Sequence, residues 1–375
     1  ESINTILEFA EARENNKISE LVVMGCLSER YLEDLKKEIP QVDAYFGSAE
    51  LPKVLEYFEA DYKHQLLGER QLSTPSHYAY FKISEGCDRP CAFCAIPLMR
   101  GKHVSFPVEQ LIENAKQLAK NGTKELILIA QDLTYYGIDL TGKRELYDLL
   151  DGLSGVEGIE WIRLQYAYPS KFPEEILPLI KERDNICSYL DMPLQHISDP
   201  MLKAMRRGIT KRRTLELLNK IKSEVPEIAL RTTLMTGFPG ETEADFQELL
   251  DFVKEYKFDR LGVFTYSHEE NTHAFTLEDN VPEQIKQDRA DQIMNAQREI
   301  SFEKNSRMIG KEIEILVDTK DGNYFVGRSE YDSPEVDNEV LVDAEKHFLR
   351  TGDFNRVRII DALEYDLIAE PVEKI

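Results

Sequence analysis

Three of the five cysteines in this chain, Cys87, Cys91 and Cys94, lie within eight residues with the spacing C-x-x-x-C-x-x-C. Thiolates are soft ligands that suit zinc or an iron-sulfur cluster. Three thiolates on one loop can hold three irons of a cubane cluster and leave the fourth iron open for chemistry. A structural zinc ion normally takes four ligands in two spaced pairs, and the next candidate ligand, His103, is nine residues beyond Cys94. The spacing therefore favours an iron-sulfur cluster over zinc.

The remaining cysteine pattern leaves one alternative open. Five cysteines in 375 residues are sparse and odd in number, which does not fit a disulfide framework. A non-catalytic scaffold, in which the three clustered cysteines and one further ligand bind zinc, is the alternative, and it would be colourless where an iron-sulfur protein is brown. Cys187 has no partner in the pattern and is predicted to be a packing residue.

The overall composition is that of a globular protein with two or three domains. It has 46 Lys and Arg against 69 Asp and Glu, a net charge of −23, 42% apolar residues and 9% aromatic residues. No run approaches the ~18 apolar residues that a membrane-spanning helix needs, and the first residues lack the basic and apolar segments of a signal peptide. We therefore expect a cytoplasmic protein with no membrane partner.

Strands and helices alternate six times through residues 78–309, and the cysteine loop directly follows the first strand. Six repeats are too few for a complete eight-fold barrel, so the pattern predicts an α/β domain built as a partial, splayed (βα)6 barrel, with its site at the carboxyl ends of the strands. The predicted strands are Tyr78–Ile83, Glu125–Ala130, Trp161–Tyr166, Ser188–Met192, Ile228–Met235 and Arg260–Phe264, with helices near 108–120, 144–152, 174–182, 211–224 and 243–256.

Residues 1–60 resemble the back half of another parallel α/β unit. Strands are predicted at Leu21–Met24 and Ala44–Phe46, and helices at Glu29–Glu38 and Leu51–Phe58. The chain opens without Met in a helical pattern, so we expect that part of this domain lies upstream. Residues 61–77 have no clear period and are predicted to be a linker.

Residues 310–375 form a third region. A long amphipathic helix is predicted at Pro282–Met308, after which the apolar residues recur with period two in short segments. Such segments at roughly ten-residue spacing predict a small antiparallel β-barrel. Residues 311–375 hold 8 Lys and Arg against 17 Asp and Glu, a net charge of −9.

The cysteine loop, with Phe93 directly before Cys94, resembles the signature of the radical S-adenosylmethionine (SAM) enzymes. The resemblance implies that Cys87, Cys91 and Cys94 hold a 4Fe-4S cluster whose open iron binds SAM. It also implies that reductive cleavage of SAM gives a 5′-deoxyadenosyl radical, which takes hydrogen from an unreactive carbon. No motif identifies the electron donor.

Almost the whole chain is similar to the methylthiotransferases of that superfamily, which have an N-terminal α/β domain, a radical SAM domain and a small C-terminal β-barrel called TRAM. Met24–Tyr31 matches the segment that bears the third cysteine of a second 4Fe-4S cluster, which implies that Cys26 is a ligand. The other two cysteines would precede residue 1, so this cluster is expected to be incomplete here. The family uses one SAM as methyl donor and one as radical source. Because the second cluster is expected to be incomplete, SAM cleavage should survive in this chain and methylthio transfer should not.

Two segments indicate the branch of the family. Asp191–Asp199 and Met205–Gly208 resemble the branch that modifies the β-carbon of an aspartate in ribosomal protein S twelve; the branch that modifies adenosines in transfer RNA is the alternative. The charge supports the protein substrate, because an RNA-binding barrel needs a basic or aromatic face. An acidic barrel could instead attract a basic ribosomal protein. A solvated acidic surface without a partner is the simpler explanation of the same charge.

The resemblance also suggests residues around the cofactor. Phe93 is expected near the adenine of SAM, and Gln131 and Asp132, which follow the second barrel strand, near its methionine end; both polar residues could equally cap a turn. Thr236–Glu241 contains two glycines that permit close approach to a ligand. His196 follows a strand end, and we predict a structural role for it.

Overall fold

The computed structural model describes residues 2–60 and 73–372, which fall into two compact units. In the first unit, β1 and β2 pair in parallel, with Val22 opposite Ala44. The sequence predicts this alternation, although α2 begins three residues earlier than expected. Of the predicted linker 61–77, residues 61–72 lie outside the described residues. The elements are α1 (Ser2–Glu14), β1 (Val22–Met24), α2 (Cys26–Glu38), β2 (Ala44–Phe46) and α3 (Leu51–Tyr57).

The second unit is built on a sheet of six parallel strands, the number of strands that the sequence predicts. Eight strands occur in this part of the chain: β3 (Tyr78–Lys82), β4 (Ser84–Glu85), β5 (Val104–Ser105), β6 (Glu125–Ile129), β7 (Trp161–Leu164), β8 (Ile186–Asp191), β9 (Ala229–Thr236) and β10 (Arg260–Thr265). The short β4 and β5 pair with each other, and the other six form the sheet in the order β10-β9-β8-β7-β6-β3. Consecutive strands are therefore neighbours, which is the topology of a partial barrel.

Helices connect the strands and cover the outer face of the sheet. The sequence analysis missed the short α4, α6 and α9, which span too few turns to show a clear period. Thr242 and Asp245 form a reciprocal capping box that starts α11. The helices of this unit are α5 (Val108–Lys120), α6 (Ile138–Thr141), α7 (Leu146–Ser154), α8 (Leu177–Glu182), α9 (Asp199–Ala204), α10 (Lys211–Glu224), α11 (Glu243–Tyr256) and α12 (Glu283–Ser306), whereas α4 (Ile96–Arg100) belongs to the first unit and packs against α2.

The last five strands close into a small barrel in the order β11-β12-β13-β15-β14. The sequence predicts an antiparallel barrel, but β13 and β15 pair in parallel, with Val340 opposite Leu367. The prediction missed this because β15 was not recognised as a strand. The strands are β11 (Glu312–Asp321), β12 (Tyr324–Arg328), β13 (Val340–Asp343), β14 (Phe354–Ala362) and β15 (Leu367–Pro371).

The two faces of the six-stranded sheet differ in chemistry. Residues such as Leu126 and Leu128 face the helices and are fully buried in the main apolar core. The alternate residues point to the inner face, where the small barrel packs on the first half of the strands: Trp161 lies edge-on to Phe354, with ring centroids 4.8 Å apart. Leu316 of β11 joins the same apolar cluster. The small barrel therefore fills part of the concave face of the sheet.

A buried ionic network also joins the small barrel to the sheet. Glu125 is fully buried and accepts hydrogen bonds from Arg163 Nε and Arg328 Nη2, both at 2.7 Å. Asp318 binds the same Arg328, and His77 Nε2 lies 2.9 Å from Asp318 Oδ1. Burial alone would raise the pKa of Glu125, but the two arginines outweigh it and hold that pKa below its ordinary value. The contact between these parts is thus both apolar and ionic.

Within the described ranges, every helix is too short or too polar to cross a lipid bilayer.

Candidate active site

The cysteine loop begins where β4 ends. Gly86 adopts φ +77°, and a Cβ at this position would lie 2.0 Å from the carbonyl oxygen of Lys102. Only glycine fits this turn without displacing the backbone. The next residue, Cys87, donates its backbone N–H to Gly101 O at 3.2 Å. Local sterics therefore fix the point where the chain leaves the strand and enters the loop.

All five cysteines lie in the described ranges, and none forms a disulfide. Cys87, Cys91 and Cys94 are half-buried, as Cys26 is, whereas Cys187 is buried. Across residues 2–60 and 73–372, no three His, Cys, Asp or Glu side chains form a group that could hold a metal ion. One loop carries the three clustered thiols, with Cys87 in the first compact unit and Cys91 and Cys94 in the second.

A buried cation lies against one of these thiols. Arg207 is 4% exposed, and its Nη1 donates to Cys91 Sγ at 3.2 Å while its Nη2 donates to Pro193 O. Its guanidinium carbon is 4.2 Å from the ring centroid of Tyr168, whose hydroxyl donates to Arg207 O at 2.9 Å and lies 3.4 Å from Cys91 Sγ. Burial raises the pKa of Tyr168, so this hydroxyl stays protonated.

Arg207 has no carboxylate partner within ion-pair distance in the part of the chain that the structure describes, and its buried Nε has no hydrogen-bond acceptor there. A buried charge without a counter-charge is costly. The sulfur of Cys91, 3.2 Å from Nη1, is the atom through which this cation can act on a bound group. The surroundings of Cys91 therefore suit an anionic sulfur ligand.

Asp132, which is expected together with Gln131 near the methionine end of SAM, forms hydrogen bonds with neighbouring residues of the protein. It is 1% exposed, accepts a hydrogen bond from Arg89 Nε at 2.6 Å and caps the following turn through Thr134 N at 2.8 Å. Of the two roles left open for this residue, the turn cap is the one observed. Gln131, by contrast, lines a cavity.

This cavity of about 370 Å³ lies on the inner face of the sheet. Ser84, three residues before Cys87, is part of its wall, and residues 334–336 of the small barrel close another side. Polar and charged side chains lie in its wall together with apolar groups, whereas the outer face of the sheet packs in the apolar core. Its lining includes Tyr80, Lys82, Gln131, Gln165, Tyr166, Asp191 and Arg231.

Asp191 and Arg231 form an ion pair in the cavity wall, with 3.2 Å between Oδ1 and Nη1. Arg231 Nε also binds Asp337 of the small barrel at 3.1 Å. Burial raises the pKa of Asp191, and Arg231 offsets only part of this effect. Sequence analysis assigned no role to Arg231 or Gln165. Polar residues that recur with period two in a buried strand, such as Arg163 and Gln165, could have indicated this inner face.

Phe93 packs in an apolar cluster with Met205, Met235 and Phe238, among others. The loop Thr236–Glu241 contributes to the same region, and Gly237 adopts φ +74° there. A Cβ on Gly237 would lie 2.0 Å from the side chain of Lys286. This glycine therefore allows close packing of α12 against the loop.

His196 is fully buried and structural, as predicted. Its Nδ1 accepts a hydrogen bond from Ser198 N at 3.0 Å, which leaves the proton of the neutral ring on Nε2. That nitrogen lies 3.1 Å from Glu241 Oε1. Glu241 Oε2 also accepts hydrogen bonds from Gly237 N and Arg289 Nη1. The imidazole is therefore a fixed donor that holds the glycine loop.

Cys187 is expected to be the least reactive cysteine. Burial raises the pKa of its thiol to about 12, so at pH 8 only about one molecule in 10,000 would carry the reactive thiolate, against roughly one in four for an ordinary cysteine. In the native, cluster-free protein, iodoacetamide should modify Cys187 at least about 1,000-fold more slowly than the half-buried cysteines. Peptide mass spectrometry over time measures this difference, and equal rates would contradict the burial.

Comparison with known proteins gives the class first. A family model described as the radical SAM superfamily matches residues 81–253, and one described as the TRAM domain matches residues 309–372. Fold and cysteine loop thus define a radical SAM protein with a C-terminal TRAM domain. A protein called ribosomal protein uS12 methylthiotransferase RimO from Cytophaga hutchinsonii is 60% identical over 100% of this chain and 85% of its own length. The protein of the same name from Christiangramia forsetii is 59% identical over 99% of this chain and 83% of its own length. The chain belongs to the RimO family.

Solved structures agree on the fold. The radical SAM methyltransferase TsrM from Kitasatospora setae, with cobalamin and a 4Fe-4S cluster bound, is 14% identical with a TM-score of 0.52, over 69% of this chain and 60% of its own. The cobalamin-dependent enzyme OxsB, with aqua-cobalamin bound, gives a TM-score of 0.52 at 13% identity, over 80% and 46% of the two chains. These confirm the partial barrel. Radical SAM membership itself implies a 4Fe-4S cluster and SAM, against the zinc scaffold.

Proposed function

We propose that this chain is a radical SAM methylthiotransferase whose target is the β-carbon of an aspartate in ribosomal protein uS12. The observation that carries the proposal is the cysteine loop at the carboxyl edge of the parallel sheet, which follows β4, whose Ser84 lies in the wall of the cavity. The similarity to RimO proteins over nearly the whole chain supports the substrate. In this view the ribosomal-protein branch is favoured over the transfer RNA branch.

Cys87, Cys91 and Cys94 would hold the 4Fe-4S cluster. Three thiols on one loop are the donor set that such a cluster takes, and the buried cation of Arg207 balances anionic sulfur at Cys91. When bound, the cluster supplies the electron that cleaves SAM to a 5′-deoxyadenosyl radical, which removes hydrogen from carbon. The protein would position SAM and the aspartate of uS12 next to each other and exclude water.

Two residues are proposed to bind SAM. Phe93 would contact the adenine, because it belongs to an apolar cluster next to Cys94. Gln131 would contact the methionine end, because it lines the cavity on the inner face of the sheet. The ion pair of Asp191 and Arg231 would keep the opposite wall of this cavity rigid and polar.

Cys26 is proposed as one ligand of a second 4Fe-4S cluster, with one SAM as methyl donor and a second as radical source. Cys26 is the first residue of α2. Within the first compact unit, α2 packs against α4, which begins two residues after Cys94. Two further thiolates would complete the ligand set of this second cluster.

We also propose that uS12 binds through the acidic TRAM domain. Several TRAM carboxylates are internal: Asp332 and Asp337 bind Arg260 and Arg231 of the sheet. Others are exposed, among them Asp321, Glu345 and Glu370. Their charge would attract a basic ribosomal protein.

Neutralising these three exposed residues, by Asp321→Asn, Glu345→Gln and Glu370→Gln together, is expected to weaken uS12 binding about tenfold at low salt. The reason is the loss of roughly 0.5 kcal/mol for each exposed charge pair. Titration calorimetry at two salt concentrations measures the effect, which should shrink at high salt.

A matched control changes the same charge on the radical SAM domain, through Glu157→Gln, Glu182→Gln and Asp184→Asn, all exposed. If both triple variants lose affinity equally, net charge and not the TRAM surface attracts the substrate. Preference of the unchanged protein for a transfer RNA anticodon stem-loop over uS12 would overturn the substrate assignment.

In this proposal residues 78–309 form the radical SAM core domain, residues 310–375 the TRAM domain, residues 1–60 part of the N-terminal domain and residues 61–77 a linker. The enzyme would act in the cytoplasm, where a ribosomal protein substrate is found.

A further inference from the structure

We propose that Arg207 sets the reduction potential of the cluster held by the cysteine loop, as a positioning residue that acts through the sulfur of Cys91. The inference rests on the proposed function for the presence of that cluster. It goes beyond the proposed function by assigning the buried guanidinium a role in how readily the cluster accepts its electron.

The first argument is charge. Arg207 is 4% exposed, and its Nη1 donates to Cys91 Sγ at 3.2 Å. Reduction adds one electron, and hence one negative charge, to a cluster ligated by this sulfur. A buried cation in contact with the ligand stabilises the reduced form more than the oxidised form, and so raises the potential.

The second argument is that Arg207 is available for this role. The other arginine near the loop, Arg89, lies at the same 4.2 Å from the ring centroid of Tyr168 but is neutralised by Asp132 at 2.6 Å. Arg207 has no such carboxylate among the described residues, and its buried Nε lacks an acceptor there. The positive charge of Arg207 is therefore not neutralised by another side chain of the described residues.

The third argument is that Arg207 is held in place. Its Nη2 donates to Pro193 O, its backbone carbonyl accepts the hydroxyl of Tyr168, and the ring of Tyr168 lies beside its guanidinium. In addition, Ala92 donates its backbone N–H to Met205 O at 3.0 Å, which ties the loop to the segment that carries Arg207. The N–H to sulfur contact is thus fixed from both sides.

The test is a reductive titration of the reconstituted protein with dithionite as the electron source, followed by electron paramagnetic resonance of the reduced cluster. For Arg207→Gln we expect the ratio of reduced to oxidised cluster at a given potential to fall at least tenfold, which is a shift of about 59 mV to more negative potential for a one-electron couple. Arg207→Lys keeps the charge and should stay within about threefold of the unchanged protein.

Arg206→Gln is the matched control, because it removes the exposed neighbouring arginine, whose Nη2 contacts His273 Nε2, and leaves Arg207 and its contacts unchanged. Its ratio should change less than twofold. A ratio for Arg207→Gln within twofold of the unchanged protein, at full iron content, would overturn the inference. If Arg207→Gln binds no cluster, the test uses Arg207→Lys alone. A tenfold fall in the ratio of reduced to oxidised cluster in Arg207→Lys would then contradict a role for the charge. Failure of the unchanged protein to bind iron would instead contradict the proposed function.

Discussion

Alanine at any one of Cys87, Cys91 and Cys94 is expected to reduce the formation of 5′-deoxyadenosine from SAM by about 1,000-fold or more, equivalent to about 4 kcal/mol in the barrier. Each thiolate would hold a different iron, so losing one leaves one iron without its protein ligand. At Cys91, alanine would also leave the buried cation of Arg207 without its anionic neighbour. Chromatography of the anaerobic reaction measures the product, and iron and sulfide analysis measures the cluster.

Cys187→Ala is the control for this series, because Cys187 is buried between the sheet and the TRAM barrel and away from the loop. It should retain iron, sulfide and SAM cleavage. If any one of the three single alanine variants kept its full iron content and formed 5′-deoxyadenosine at the unchanged rate, the replaced cysteine would not be a ligand of the cluster. Stoichiometric zinc without iron in the unchanged protein would remove the radical chemistry altogether.

Glu125→Gln is expected to lower the free energy of unfolding by about 3–5 kcal/mol, because it leaves two buried arginines without their shared carboxylate. Arg163 and Arg328 each bind Glu125 at 2.7 Å, and all three side chains are buried. Trp161, the single tryptophan, lies in the same interface between sheet and TRAM barrel. Its fluorescence during urea titration therefore reports the loss of this contact.

The control is Arg183→Gln, which breaks an ion pair with Asp151 whose side chains are 50% and 46% exposed. Such a pair is worth at most about 1 kcal/mol. Equal losses for the two variants would contradict the account of the buried network.

The same network predicts a pH dependence. The pKa of Glu125 is held below its ordinary value in the folded protein, so its contribution to stability is complete above the unfolded pKa of about 4.3 and is lost as the pH falls through the folded pKa. In this acid range the stability of Glu125→Gln should therefore fall less steeply with pH than that of the unchanged protein.

The sequence predicts most of the barrel because its signals are local. Hydrophobic runs such as Glu125–Ile129 are bounded by turn residues, and their order along the chain is their order in the sheet. The cysteine spacing likewise identifies the loop without reference to tertiary structure. The parallel pairing of β13 with β15 was not predictable, because it depends on how distant segments meet in a closed barrel.

Charge was the less reliable guide. The net charge of −9 in residues 311–375 predicts a surface for a basic partner, yet the side chains of Asp332 and Asp337 are buried against arginines on the sheet. Arg206 and Arg207 are adjacent in sequence, but one is exposed and the other buried against Cys91. Only the tertiary fold distinguishes a solvated charge from an internal counter-charge.

The central claim is that the 5′-deoxyadenosyl radical formed at the cysteine loop removes a hydrogen atom from the β-carbon of an aspartate in uS12. The most direct measurement uses uS12 deuterated at the β-carbons of its aspartates and follows deuterium into 5′-deoxyadenosine by mass spectrometry. The account predicts that deuterium appears in the product when uS12 is present with reduced protein and SAM. Formation of 5′-deoxyadenosine without deuterium at saturating uS12 would contradict it.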